Sequence, residues 1–209
     1  MEKAYKSLGY FLILLIPFTF FGFYTTYFNQ FPTFQDTSTY IHIHAAIASI
    51  WVLLLVAQPI LIRKKKYKLH KQLGRISYLI FPLLILSFIP GMTRIFNSES
   101  PTILFFPLSD IIMLIIFYFL AIYHRKNTSK HMRYMIGVAI VFLDPTLGRI
   151  GVLLLELSDK VNQNVLCIII YLILTGLILL DRKNGKNYKP YVLIFSIWII
   201  HQITFNLIF

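Results

Sequence analysis

Residues 41–62 read IHIHAAIASIWVLLLVAQPILI, and the next segment, 63–75, reads RKKKYKLHKQLGR. The first stretch contains no Asp, Glu, Lys or Arg and has the roughly 20 mostly apolar residues that a spanning helix needs. The second gathers Arg63, Lys64, Lys65, Lys66, Lys68, Lys71 and Arg75. An apolar run closed by a cationic turn is the pattern of a membrane helix that ends on the cytoplasmic face.

Working outward, six further stretches qualify, at 8–28, 73–93, 103–123, 133–155, 164–181 and 190–209, so the pattern predicts an all-α bundle of seven spanning helices. The loops agree with that count. Lys3 and Lys6 precede the first helix, and the loop 29–40 has no Lys or Arg. The loop 124–133 carries Arg125, Lys126, Lys130 and Arg133, and 181–189 carries Arg182, Lys183, Lys186 and Lys189. Between these lie 94–102 with Arg94 alone and 156–163 with Lys160 alone. Basic and non-basic loops alternate, which predicts an N-terminus inside and a C-terminus outside. The fifth stretch is the most polar, with Asp144-Pro145 and Arg149; were it re-entrant, the count would fall to six and a basic loop would lie outside.

Composition leads the same way. Hydrophobic residues make up 57% of the chain and charged ones 13%, against about 25% charged in an average soluble domain. A soluble fold could not cover this much apolar surface, so residues 1–209 read as one integral membrane domain. The net charge of +12 sits in short loops, which fits the anionic lipids of an inner leaflet and argues against nucleic acid as a partner. The run from Leu8 to Phe28 is too long for the core of a signal peptide and lacks a small-residue cleavage site, so it reads as a retained helix. Cys167 is the only cysteine, which excludes an internal disulfide.

On the stretch 41–62, His44, Ala48, Trp51, Leu55 and Gln58 recur at steps of four and three, which places them on one helical face. His42 lies about 200° round from His44 on a regular helix, so the pair is a poor two-ligand metal motif and His42 reads as interfacial. Ionisable residues within spans are expensive and usually face the interior of a bundle. His44, Gln58, Asp110, Asp144, Arg149 and His201 are therefore the candidate intramembrane polar residues, with Arg94 and Glu156 at the outer mouth. Two readings stand: one polar cavity open to the outer face, or two isolated pairs, Asp110–Arg149 and Asp144–His201, that fix helix register.

A second group, His70, His124 and His131, lies at the basic ends. Facing imidazoles there could ligate haem or a transition metal; the alternative is interfacial histidines that contact lipid phosphates. Arg63-Lys64-Lys65, Arg125-Lys126-Asn127 and Arg182-Lys183-Asn184 form a weak repeat, the first two followed by His70 and His131. Chance similarity of Lys-rich loops explains this better than stacked hairpins do. No lysine lies mid-span in the last helix to anchor a retinal, and no Gly-x-Ser-x-Gly, His-Glu-x-x-His or P-loop occurs.

Taken together, Gly22-Phe23-Tyr24-Thr25-Thr26-Tyr27-Phe28, His42-Ile43-His44 with Trp51 and Gln58, His70 with Leu73-Gly74, His131-Met132-Arg133-Tyr134-Met135, and Asp144-Pro145 with Gly148-Arg149 form an array. It resembles multi-pass bacterial inner-membrane proteins with the same order of elements, over roughly residues 20–150. The resemblance implies location and architecture; that group has no established activity, and no functional residue transfers from it. Three classes of function follow from the residues: a haem- or metal-binding redox protein, which the histidines slightly favour; a proton-linked or small-molecule transporter; and a non-catalytic membrane component.

Overall fold

The computed structural model describes residues 2–35, 37–98 and 100–209, and within them every regular element is helical. The helices are α1 (Leu8–Ile13), α2 (Leu15–Gly22), α3 (Thr39–Arg63), α4 (Tyr67–Ser87), α5 (Ile89–Phe96), α6 (Phe105–Tyr123), α7 (Thr128–Val141), α8 (Leu143–Leu153), α9 (Asp159–Lys183) and α10 (Lys189–Ile208). With α4–α5 and α7–α8 each read as one broken rod, six helices among the described residues are long and apolar enough to cross a membrane. The chain is a multi-pass membrane protein.

Several boundaries differ from the sequence expectation, for local reasons. The first apolar helix ends at Gly22 rather than near residue 28 and is the one shorter apolar helix, Leu8–Gly22. The poor helix formers Thr25 and Thr26 follow in a run of turns. At 1.5 Å per residue its 15 positions span about 22 Å, less than a ~30 Å hydrocarbon core. The third stretch, expected over 73–93, is not one continuous helix. The break falls at Phe88, and Pro90 sits in the first turn of α5, where its missing N–H is not needed. Pro145 does the same in the first turn of α8, after the break at Phe142. α7 and α9 start earlier than expected because each has an N-cap: Asn127 accepts from Lys130 N–H, and Ser158 from Val161 N–H.

The contacts gather into two compact units, residues 1–107 and 108–209. In the first, α3 packs along α4 through Trp51, Leu55, Phe81 and Leu84, with the Trp51 and Phe81 rings 5.2 Å apart. α1 lies on α3, where a Cβ on Gly9 would come within 2.6 Å of Ile60. In the second, α10 packs against both α7 and α9, and α9 against α8. Its core holds Phe117, Val138, Cys167, Ile170, Leu174, Ile194 and Trp198, all fully buried. Gly137 admits Ile194 to van der Waals contact, since a Cβ there would meet it at 2.7 Å.

Candidate functional site

The second unit collects polar side chains at the end that carries the 154–158 loop. Asp144, in the first turn of α8, faces α9 and α10 and is 4% exposed. The Gln163 amide of α9 donates to both its carboxylate oxygens, at 3.4 and 3.2 Å. His201 of α10 places Nε2 3.7 Å from Asp144 Oδ2. The His201 ring also meets the Trp198 ring at 5.1 Å. Asp110 enters from α6 on the buried face shared with Met113, Leu114 and Phe117. It lies in electrostatic range of Asp144 and Arg149. Its Oδ1 is buried with no hydrogen-bond partner among the described residues, as is Trp198 Nε1. Arg149 donates to the Pro145 carbonyl one turn back, at 2.8 Å.

Close packing of α8 on α9 holds this arrangement. Asn162 donates to the Gly148 carbonyl at 2.8 Å. Its amide oxygen lies where a Gly151 side chain would be, only 1.7 Å from an ideal Cβ. Gly151 therefore sets the separation that lets Gln163, the next residue on α9, reach Asp144.

The other end of the unit is different. Arg133 of α7 forms a two-point ion pair with Asp181 of α9: Nε to Oδ2 at 2.6 Å and one terminal nitrogen to Oδ1 at 2.6 Å, both side chains fully buried. The other terminal nitrogen donates to the Ser129 carbonyl and hydroxyl. Tyr191 lies 5.9 Å from the guanidinium. Between the two ends, the buried face of α9 presents Leu166, Cys167, Ile170 and Leu174.

The two remaining candidate intramembrane residues belong to the first unit. His44 bonds Ser87 of α4 through Nδ1 at 2.8 Å, and its ring meets Phe88 at 4.6 Å. Gln58, grouped by sequence with His44, is instead the neighbour of His70: its amide nitrogen donates to His70 Nδ1 and its oxygen accepts from Gly74 N–H at 3.0 Å. His44–Ser87, Trp51–Phe81 and Gln58–His70 all bridge α3 and α4, so the face read from the sequence is the one that packs on α4.

Each of the other histidines also has a partner within its own unit. Tyr27 OH and His42 Nδ1 are 2.8 Å apart, and the Phe34 ring covers the same imidazole. His124 stacks on Tyr134 at 5.7 Å. His131 Nδ1 donates to the Ala121 carbonyl at 2.8 Å. His70 and His131 thus both bond back across a basic turn to the preceding helix, which gives the weak repeat a structural counterpart. No group of three or more His, Cys, Asp or Glu able to hold a metal ion occurs among the described residues.

Sequence reasoning missed the Arg133–Asp181 pair, having counted Arg133 with a loop and taken Asp181 as a helix end. The available signal was an acid embedded in an otherwise basic turn. It also missed an amide seam between α9 and α10. Tyr171 OH donates to Gln202 Oε1 at 2.7 Å, Gln202 to Asn164 Oδ1 at 2.7 Å, and Asn206 to the same oxygen at 3.2 Å. Asn162-Gln163-Asn164, a polar triplet at the head of an apolar run, was the clue to both α9 contacts. The hollows on the surface, lined by Phe119, Tyr123 and Arg125 or by Thr175, Arg182 and Phe195, do not touch the Asp144 cluster. No family model matches the chain, and neither does any curated protein or solved structure.

Proposed function

We propose that this protein is a bacterial inner-membrane carrier that couples a small solute to protons, with Asp144 and His201 as the proton-exchanging pair. One observation carries the reading: a carboxylate and an imidazole 3.7 Å apart, both buried inside spanning helices, with the carboxylate also accepting from the Gln163 amide. Ionisable groups are costly in hydrocarbon and mark ion or proton pathways there. An approach of about 0.5 Å would bring this imidazole and carboxylate to the hydrogen-bond distance at which a proton passes between them. Asp110, Arg149 and the outer-end position of the cluster supply the approach; Leu166, Cys167, Ile170 and Leu174 form the barrier. His44 and Gln58 serve the α3–α4 contact instead.

The same reading takes Leu8–Gly22 as a crossing, for seven in all, with the N-terminus inside, the C-terminus outside and all of residues 1–209 in the membrane part. The basic turns after α3, α6 and α9 then share one side, where they face anionic headgroups. Nucleic acid has no place in this arrangement. Impermeant maleimide applied to intact cells tests the topology in a Cys167→Ser background: Ser98→Cys should label, and Lys65→Cys only after permeabilisation.

Function is tested in proteoliposomes carrying an internal pH dye. Addition of small amines, carboxylates or sugars in turn should reveal one class that drives proton movement. Asp144→Asn and His201→Gln should abolish that movement while the chain still folds. If folded Asp144→Asn moves protons as wild type does, the carrier reading fails, and the pair is a register lock.

A further inference from the structure

We infer that Asp110 is the loading group for a monovalent cation, a proton or an alkali ion, in the second unit; the inference rests on the ion-coupled reading above and names where the ion first binds.

The placement comes from helix geometry. On α6 the exposed positions include Leu108, Ile112, Ile115 and Phe119, while Asp110 shares the buried face with Met113, Leu114 and Phe117. Its carboxyl is turned into the unit and is 6% exposed. It lies five residues from the start of α6, about 8 Å along the axis, so the route from that end of the helix is short. Its Oδ1 has no hydrogen-bond partner among the described residues. A buried acceptor without a partner costs about 1–3 kcal/mol, more when charged, and a bound cation removes that cost.

Charge restricts the ligand. Asp144 and Arg149 of α8 lie in electrostatic range of Asp110; Asp144 in turn accepts from Gln163 of α9, lies 3.7 Å from His201 of α10 and is in electrostatic range of Cys167 of α9. Two carboxylates against one guanidinium leave one negative charge in excess while His201 and Cys167 are neutral. One monovalent cation balances it, and a divalent ion would overshoot.

The test reads binding rather than flux, so it stands apart from the carrier assay. The full chain in nanodiscs is titrated with acid and followed by infrared difference spectroscopy. At fixed pH, equilibrium binding of radioactive sodium is measured in parallel. If the ion is a proton, one carboxyl band that appears on titration is lost in Asp110→Asn, kept in Asp144→Asn and shifted in Asp110→Glu. If it is an alkali ion, saturable sodium binding disappears in Asp110→Asn and persists in Asp110→Glu. Asp110→Glu carries the comparison if the Asn variant does not fold. The inference is overturned if a folded Asp110 variant titrates and binds sodium as wild type does, or if wild type shows neither signal.

Discussion

The Arg133–Asp181 pair permits a quantitative prediction. Asp181→Ala removes the carboxylate from a guanidinium that is fully buried and held at two points, 2.6 Å each. Arginine cannot shed its charge, so the guanidinium keeps its Ser129 contacts and loses its counter-ion. Removal of one partner from a buried pair costs about 3–5 kcal/mol. Arg133→Lys should recover little, since an ammonium cannot make the planar two-point contact. Arg133→Met with Asp181→Leu removes both charges and should recover most of the loss, because well-packed apolar replacements of buried pairs are often neutral or stabilising. The assay is reversible unfolding in mixed micelles, followed by tryptophan fluorescence, on wild type, Asp181→Ala, Arg133→Lys and the double replacement. A cost below about 1 kcal/mol for Asp181→Ala, the range of exposed pairs, would refute the buried clasp.

Other contacts give sharper tests of helix packing. Gly151→Ala should destabilise by about 1–3 kcal/mol through overpacking, because its Cβ would strike the Asn162 amide; Asn162→Ala in the same chain should restore part of this in the same unfolding assay. Gln202→Leu and Asn164→Leu, which open the amide seam, should each cost about 0.6 kcal/mol, as polar contacts between membrane helices average, and the double variant should cost less than their sum. Gln58→Leu removes the donor to His70 and should increase hydrogen exchange at the start of α4, read by mass spectrometry, with α9 and α10 unaffected.

How much of this was legible in the sequence depends on whether a signal was periodic or pairwise. The spans were legible because hydrocarbon imposes one requirement over about 20 consecutive residues. The inward face of α3 was legible because Trp51 and Leu55 recur with the helical period. The end of the first apolar helix and the position of the α4–α5 break depend instead on one or two residues, Thr25-Thr26 and Pro90, whose effect changes with a shift of a single turn. Asp144 and His201, one of the two pairs the sequence offered as an alternative to a cavity, lie 3.7 Å apart. Gln58 was grouped with His44 because both fall on one face; that the amide meets His70 depends on how α4 returns along α3. Arg133 and Asp181 were hidden because each sits among other charges, and a charge count across a loop cannot distinguish a solvated lysine from a buried arginine.

Two buried ionic groupings in one unit therefore answer the question of structure or work in opposite ways. At one end, each Asp181 oxygen has its own guanidinium nitrogen at 2.6 Å, and Ser129 takes up the third nitrogen. Such a pair has short contacts, matched charge and nothing further to bind, as a fixed clasp requires. At the other end, Asp144 is held at 3.2–3.7 Å by an amide and an imidazole, the carboxylates outnumber the guanidinium, and Asp110 Oδ1 has no partner among the described residues. If both groupings served only to fix helix register, the second would be the costlier way to do it, with fewer and longer hydrogen bonds for the same desolvation. At the Asp144 end, behind the apolar layer of Ile170 and Leu174, the unfilled Asp110 Oδ1 is what a site that gains and loses an ion would use.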